Sequence, residues 1–207
     1  MTRPGLARLA LAGAAALAVT ALGGCITLFP AEKPVQLYRF DAQVQPPATA
    51  GRAFAVRTGS SYFDPAAAGD RIMTVDGDQV GYLEPGRWSS PANQLFDEAV
   101  AHGFNVASSV RLVSPGQQAT AKYRLVIAVT RFEARYVSGP TAAPTVMVTV
   151  RATLDRTSDQ SQVDSKEFDA EVPAGDNRFG PIVQAYDQAT SKVVGDLVAW
   201  VSQTGAS

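Results

Sequence analysis

Cysteine and histidine are almost missing from this chain, whose 207 residues contain one of each, Cys25 and His102. A disulfide within the chain needs two cysteines, so that form of stabilisation is excluded. With no second histidine, His102 has too few partners for a zinc site. We interpret it as a residue at the C-terminal end of a predicted helix, where it interacts favourably with the helix dipole. We therefore expect no metal, no cofactor and no catalysis by either residue.

An excess of basic residues is also lacking, since 18 Lys and Arg face 19 Asp and Glu, for a formal net charge of −1. Nucleic-acid binders carry a basic stripe, and no polybasic cluster is available for anionic lipid heads. The apolar run Leu9–Leu22 has 14 residues and is rich in alanine. A membrane span needs roughly 20. We expect no nucleic-acid partner and no transmembrane helix.

The N-terminal segment has the layout of a bacterial lipoprotein signal peptide. Arg3 and Arg8 precede the apolar run, and two glycines lead into Cys25. Cleavage before Cys25 would leave a cysteine that carries diacylglycerol and an acylated N-terminus, with palmitate as a typical chain. An ordinary secretory signal would not need this cysteine, and a buried structural cysteine fits poorly at a glycine-rich junction. The segment predicts a protein anchored to a membrane by lipid.

Three segments follow from this interpretation: a signal peptide at residues 1–24, a lipidated N-terminus and short tether at 25–34, and one domain at 35–203. Removing residues 1–24 takes away two basic and no acidic residues, which leaves 183 residues with a net charge of −3. Pro30 and Pro34 keep the tether extended. The remaining length is ample for a single hydrophobic core.

Alternating and apolar runs predict eight strands, and Asp76-Gly77-Asp78 between two of them predicts a β-hairpin. Residues 60–69 are turn-rich, and the segment from Glu84 to Pro91 is expected to break the sheet. Polar residues 155–160 predict a second hairpin. Neither side of Tyr123–Arg135 is fully polar, which indicates a central strand covered on more than one face. The predicted strands are Val35–Phe40, Phe54–Thr58, Arg71–Val75, Val80–Leu83, Val106–Leu112, Tyr123–Arg135, Thr145–Leu154 and Gln162–Val172.

Two helices are predicted from apolar residues spaced three or four apart. The first covers Pro91–His102, with Ser90 as its N-cap and Gly103 at its end. The second covers Phe179 to about Gln203 and has an apolar face wide enough to cover a sheet. The order of elements indicates an α+β fold: one domain with a mixed or antiparallel sheet and two amphipathic helices packed on one face.

No catalytic constellation is present in the sequence. It contains no glycine-rich phosphate loop and no nucleophile elbow of the G-x-S-x-G type. Asp76 and Asp78 flank a glycine, but the remaining ligands of a calcium loop do not follow, so a hairpin turn is the better interpretation. Glu84, Asp97 and Glu98 are explained by a loop end and a helix surface. We predict that the protein is not an enzyme.

Two groups of residues are candidates for binding. Tyr82, Arg87 and Trp88 stand close together between a strand and a helix, either as an interaction surface or as a structural corner under the helix. The other group is an apolar row on the last predicted helix that could line a lipid groove against the sheet or form plain core. Its members are Ile182, Tyr186, Val193 and Leu197.

Several of these motifs, in this order, resemble the ABC-type transport auxiliary lipoprotein family. The resemblance covers nearly the whole mature chain and depends on spacing more than on any single motif. It is carried by Cys25, Tyr38-Arg39-Phe40, Gly81-Tyr82 with Arg87-Trp88 and Pro91-Ala92, Tyr123–Glu133, Val148–Leu154, Phe168 with Val172-Pro173-Ala174, and Val198-Ala199-Trp200.

The resemblance implies a periplasmic lipoprotein partner of an ABC permease and ATPase complex with a mammalian-cell-entry (MCE) domain substrate-binding subunit. Such a system moves phospholipid or another hydrophobic substrate between the two membranes. Ile26, in place of an aspartate after Cys25, favours the outer membrane over the inner one. Several copies could form a homo-oligomer on a ring-shaped MCE partner. The alternatives are a lipoprotein that itself binds lipid and one that acts in envelope assembly through protein contacts.

Overall fold

The computed structural model describes residues 35–44, 54–59, 61–107, 110–113 and 116–206. The predicted signal peptide, Cys25 and the tether lie outside these residues. Across the described ranges the chain forms one mixed sheet of nine strands and two helices. This is the α+β architecture predicted from the sequence. Among these residues, neither helix combines the length and the apolar character needed to cross a membrane.

The elements follow the predicted order, with three changes at short segments. A brief strand lies inside the connection at residues 60–69, and the predicted strands at 35–40 and 106–112 are shorter. The bounds are β1 Leu37–Tyr38, β2 Phe54–Thr58, β3 Tyr62–Phe63, β4 Arg71–Asp76, β5 Gln79–Trp88, α1 Ala92–Val106, β6 Val110–Val113, β7 Tyr123–Tyr136, β8 Thr145–Arg156, β9 Gln162–Pro173 and α2 Phe179–Ala206.

Strand β7 is the centre of the sheet. Along one edge it pairs in parallel with β2, β3 and β4 in turn, and along the other it pairs antiparallel with β8. Strand β8 pairs antiparallel with β9, which confirms the second predicted hairpin. The main run of neighbouring strands has the order β1-β5-β4-β7-β2-β6, so β1 and β6 are its two outermost strands.

The core lies on one face of this sheet. Inward residues of β7 and β8 are buried and directly opposite one another, as in Leu125 with Leu154 and Phe132 with Val148. The rings of Phe96 from α1 and Tyr186 from α2 both lie against Phe132, so the two helices cover the same face. Burying this apolar row provides the main stabilisation of the domain.

Within the part of the chain that the structure describes, no helix covers the opposite face of β7, so the prediction that this strand is covered on more than one face is wrong. Arg124 and Thr130 are exposed there, and Val126 and Ala128 are only half-buried. Small or branched apolar residues on this side made the strand appear buried. A sheet with antiparallel pairing can leave one face solvated, so these residues need no second layer over them.

The hairpin of β4 and β5 closes through a two-residue turn at Gly77 and Asp78, because Asp76 opposes Gln79. Gly77 has a φ of 60°, which suits glycine in such a turn. The prediction that residues 84–91 break the sheet is wrong for residues 84–88. Strand β5 continues to Trp88, and a bulge opposite the step from Arg71 to Met73 takes up the extra residues, with a cis Glu84–Pro85 peptide inside it.

Helix α1 differs from its prediction at both ends. Pro91 is the N-cap residue and no side chain caps the helix, so the assignment of Ser90 as N-cap is wrong. Gly103 lies inside the helix, which continues to Val106. A Cβ on Gly103 would come within 2.8 Å of Val194 Cγ1 on α2, so this glycine serves close packing of the two helices. Helix α2 extends past the predicted Gln203 to Ala206.

Candidate interaction corner

The three residues singled out between strand and helix lie on β5, near the end of the sheet. Tyr82 is opposite Met73 on β4, and Arg87 is paired with Arg71 on one side and with Leu37 of β1 on the other. We call this surface, together with Asp70, the β5 corner. Its backbone is held by hydrogen bonds from the Arg87 amide to the Gln36 carbonyl and from the Trp88 amide to the Asp70 carbonyl.

Trp88 belongs to the core and is only 2% exposed. Its ring meets Phe40 edge-on with centroids 5.3 Å apart, and it meets Tyr186 edge-on at 5.1 Å. These contacts join the β1 segment, the hairpin and helix α2. Of the two interpretations for Trp88, the structure supports the structural corner, because a side chain this enclosed does not reach a partner.

Arg87 lies at the surface of the corner. Its Nη1 donates to both carboxylate oxygens of Asp70 at 3.2 Å. Both side chains are more than two fifths exposed, so the pair contributes little to stability. Leu37, its neighbour on β1, is 65% exposed. An apolar side chain and a guanidinium are therefore presented together to solvent.

Tyr82 is half-buried and has contacts at both ends of its side chain. Its hydroxyl donates to the Ala66 carbonyl at 3.1 Å, which ties the hairpin to the turn at residues 65–70. The Arg71 guanidinium carbon lies 3.6 Å from the centre of its ring, a cation–π geometry. Tyr82 thus connects the turn to the corner and leaves part of its ring at the surface.

The apolar row on α2 lies in the core. Ile182, Tyr186, Val193 and Leu197 are fully buried, and α2 packs on β8 and β9. The Tyr186 hydroxyl donates to the Met73 carbonyl at 3.2 Å. Burial raises the pKa of Tyr186 well above its ordinary value, and the charge of Glu133 raises it further. The apolar, lipid-holding groove expected along these residues stays a prediction.

The isolated charged residues noted in the sequence do not converge. His102 is exposed on α1, Glu98 pairs with Arg39 at 3.1 Å, and burial raises the pKa of Asp97. Asp76 is the last residue of β4, and Asp78 lies in the hairpin turn. Within the described ranges, no group of three or more His, Cys, Asp and Glu side chains is arranged to hold a metal ion.

One feature was missed by sequence reasoning. A cleft of about 700 Å³ at the end of the sheet is lined by Arg57, Arg124 and Arg156. These arginines come from β2, β7 and β8, so they are far apart in the chain and meet only when the strands pair. No local motif marks them, and a contact map would be needed to find the cluster.

Comparison with known proteins agrees with the fold and identifies the family. The family model for the ABC-type transport auxiliary lipoprotein component matches residues 37–198, from β1 to most of α2. No significant match was found among curated proteins. The match covers well over half of the chain and includes the β5 corner. The chain therefore belongs to the ABC-type transport auxiliary lipoprotein family, and its role is that of an auxiliary lipoprotein of ABC-type transport.

Solved structures share the fold. A protein of the DUF330 family from Xanthomonas campestris, XCC0632, superimposes with a TM-score of 0.74 at 22% identity, covering 83% of this chain and 96% of that one. An uncharacterized protein gives 0.55 at 14% identity, with 77% and 99% covered. The hypothetical protein CT253 from Chlamydia trachomatis gives 0.50 at 10% identity, with 72% and 98% covered.

Proposed function

We propose that this chain is the lipid-anchored periplasmic subunit of an MCE-type ABC transporter that moves phospholipid or another hydrophobic substrate across the cell envelope. It docks on the MCE subunit or on the permease and ATPase complex, and it turns over no substrate itself. The observation that carries the proposal is the family match over residues 37–198. The N-terminal sequence supports lipid attachment at Cys25, and Ile26 supports the outer membrane.

The docking surface in this proposal is the exposed part of the β5 corner. Leu37 and Arg87 are neighbours on paired strands at the end of the sheet, and Tyr82 precedes Arg87 on β5. Arginine and tyrosine are enriched among the residues that carry most of the binding energy at the centres of protein interfaces. Trp88 supports this surface from inside without contacting the partner.

Co-purification from native membranes tests the docking proposal. The full-length lipoprotein is expressed with the transporter subunits, and the MCE subunit and ATPase are quantified after capture. We expect Leu37→Asp and Arg87→Glu to reduce recovery of the MCE subunit and the ATPase. The first variant would bury a charge in the interface, and the second would reverse the charge that faces the partner. Val137→Asp is the matched control, since Val137 is 66% exposed on another part of the surface. Equal recovery with all three variants would overturn the assignment of the corner.

Membrane fractionation tests the localisation. We expect the lipoprotein in the outer-membrane fraction, and an Ile26→Asp variant should shift it towards the inner membrane. Native mass spectrometry of the same preparation measures whether copies associate, which tests the predicted homo-oligomer. The two alternative functions stay predictions. Capture that never recovers a transporter subunit would favour envelope assembly, and co-purified lipid would favour a lipid-binding role.

A further inference from the structure

The cleft at the end of the sheet lies where β7 begins and β8 ends. Strand pairing sets its composition. Arg57 on β2 is directly paired with Arg124 on β7, and Arg156 is the last residue of β8. The lining residues are Arg57, Gln118, Ala119, Thr120, Ala121, Arg124, Arg156, Thr157 and Gln160.

Two arginines in direct register repel each other, and neighbouring strands usually place opposite charges or apolar groups at such positions. Here a third arginine is added to the same cleft. The chain as a whole is slightly acidic, with 19 acidic against 18 basic residues. The local concentration of positive charge is therefore not a consequence of overall composition.

Among the described residues, each of the three guanidinium groups donates one hydrogen bond to a neighbouring residue. Arg57 Nη2 donates to the Ala119 carbonyl at 3.2 Å, Arg124 Nη2 to Asp155 Oδ2 at 2.9 Å, and Arg156 Nη1 to Ser161 Oγ at 3.5 Å. A guanidinium has five N–H donors in a planar fork. These contacts orient the three side chains and leave most of their donors for a ligand.

Two carboxylates at the margin of the cleft balance part, but not all, of the charge of its three arginines. Asp155 is turned towards Arg124, and its side chain is 12% exposed. Asp159 lies in the turn after β8, where it accepts from the Ser161 amide and hydroxyl. Of the described residues that line the cleft, none is acidic. Three guanidinium groups thus face the space with two carboxylates at its margin.

The remaining lining side chains are mostly amides and hydroxyls, from Gln118, Thr120, Thr157 and Gln160. Two alanines are the apolar residues among those described, so the cleft suits a polar headgroup and not an acyl chain. Forked guanidinium donors match the oxygens of phosphate groups. We propose that this cleft binds a phosphate oxyanion, either the phosphate of a phospholipid headgroup or free phosphate. This goes beyond docking, because it assigns the domain its own ligand.

Calorimetric titration of the full chain, purified from membranes in a neutral detergent, tests the proposal. The probes are inorganic phosphate and dihexanoyl phosphatidylglycerol below its micelle concentration. Arg57→Gln and Arg156→Gln should each weaken binding about fivefold to tenfold, because each removes a charge-assisted hydrogen bond. Arg131→Gln is the matched control, since Arg131 is an exposed arginine on β7 that contacts Met147 Sδ outside the cleft.

The two probes distinguish the sources of the phosphate group. Selective weakening with both probes supports the headgroup, and selective weakening with inorganic phosphate alone supports free phosphate. Saturation by neither probe, or equal weakening by Arg131→Gln, would overturn the proposal. Unchanged circular dichroism of the variants shows that they are folded. Co-purification with a transporter is a separate measurement, so failure of the docking proposal leaves this result interpretable.

Discussion

Trp88 and Tyr186 meet edge to face in the core, with ring centroids 5.1 Å apart and an angle of 88° between the ring planes. Trp88 ends strand β5 and Tyr186 lies in the first half of helix α2, so this contact joins the hairpin to the helix. The Tyr186 hydroxyl adds a hydrogen bond to the Met73 carbonyl of β4. One aromatic pair therefore connects the candidate corner to the centre of the domain.

Truncating Trp88 should destabilise the protein without a specific effect on any partner. We expect Trp88→Ala to lower the free energy of unfolding by about 3–5 kcal/mol, the range for large aromatic residues removed from a core. Arg87→Ala should change it by less than about 1 kcal/mol, because its ion pair is exposed. Urea unfolding followed by circular dichroism measures both. Similar losses for the two variants would contradict the division of the corner into core and surface.

Stability should fall at alkaline pH because of Tyr186. Burial raises the pKa of its phenol in the folded protein, whereas in the unfolded chain it titrates near pH 10. The folded state is then unaffected below pH 10, and stability is lost above it at about 1.4 kcal/mol per pH unit. Unfolding measured from pH 9 to 11.5 should show a shallower loss in Tyr186→Phe. An identical slope in the two proteins would refute this.

Two glycines in the helices offer a matched test of helix packing. Gly103→Ala places a Cβ 2.8 Å from the stiff Val194 side chain, so we expect a loss of about 1–3 kcal/mol from overpacking. Gly195→Ala meets nothing within 4 Å and should be neutral or stabilising by up to about 1 kcal/mol. Thermal unfolding of both variants checks the difference. A stable Gly103→Ala protein would show that the helices are free to move apart.

Lipid attachment is tested by Cys25→Ala, at a position outside the described residues. Without the thiol, diacylglycerol has no attachment point, so metabolic labelling with radioactive palmitate should be lost. The variant should be released from membranes or remain unprocessed. Fractionation with an antibody against the chain measures release and processing. Normal labelling and membrane retention of the variant would contradict the lipoprotein assignment.

Local patterns predicted most of the elements of the fold. Alternation along β7 and β8 and the spacing of three or four along α2 arise from backbone geometry, which each segment carries by itself. Asp-Gly at residues 76–77 predicted the hairpin because glycine accepts the positive φ of its turn. The family resemblance through Tyr82 and Arg87-Trp88 was confirmed by the match over residues 37–198.

Errors occurred where packing or pairing with another element decides the local structure. Gly103 has the sequence appearance of a helix end, but its missing Cβ makes room for Val194 on the other helix. Glu84-Pro85-Gly86 has the appearance of a strand break, but a bulge against β4 carries the strand onwards. Local propensity describes what a segment prefers alone, and packing against a distant partner overrides it.

The sequence alone therefore determined the class of fold, the order of its elements and the family, because these depend on periodicity and on motifs close together in the chain. Only the tertiary structure decided that Trp88 is core, that Arg87 is surface, and that Arg57, Arg124 and Arg156 share one cleft. Burial and the clustering of charge are properties of paired strands and packed helices. They depend on residues that come together only when the chain has folded.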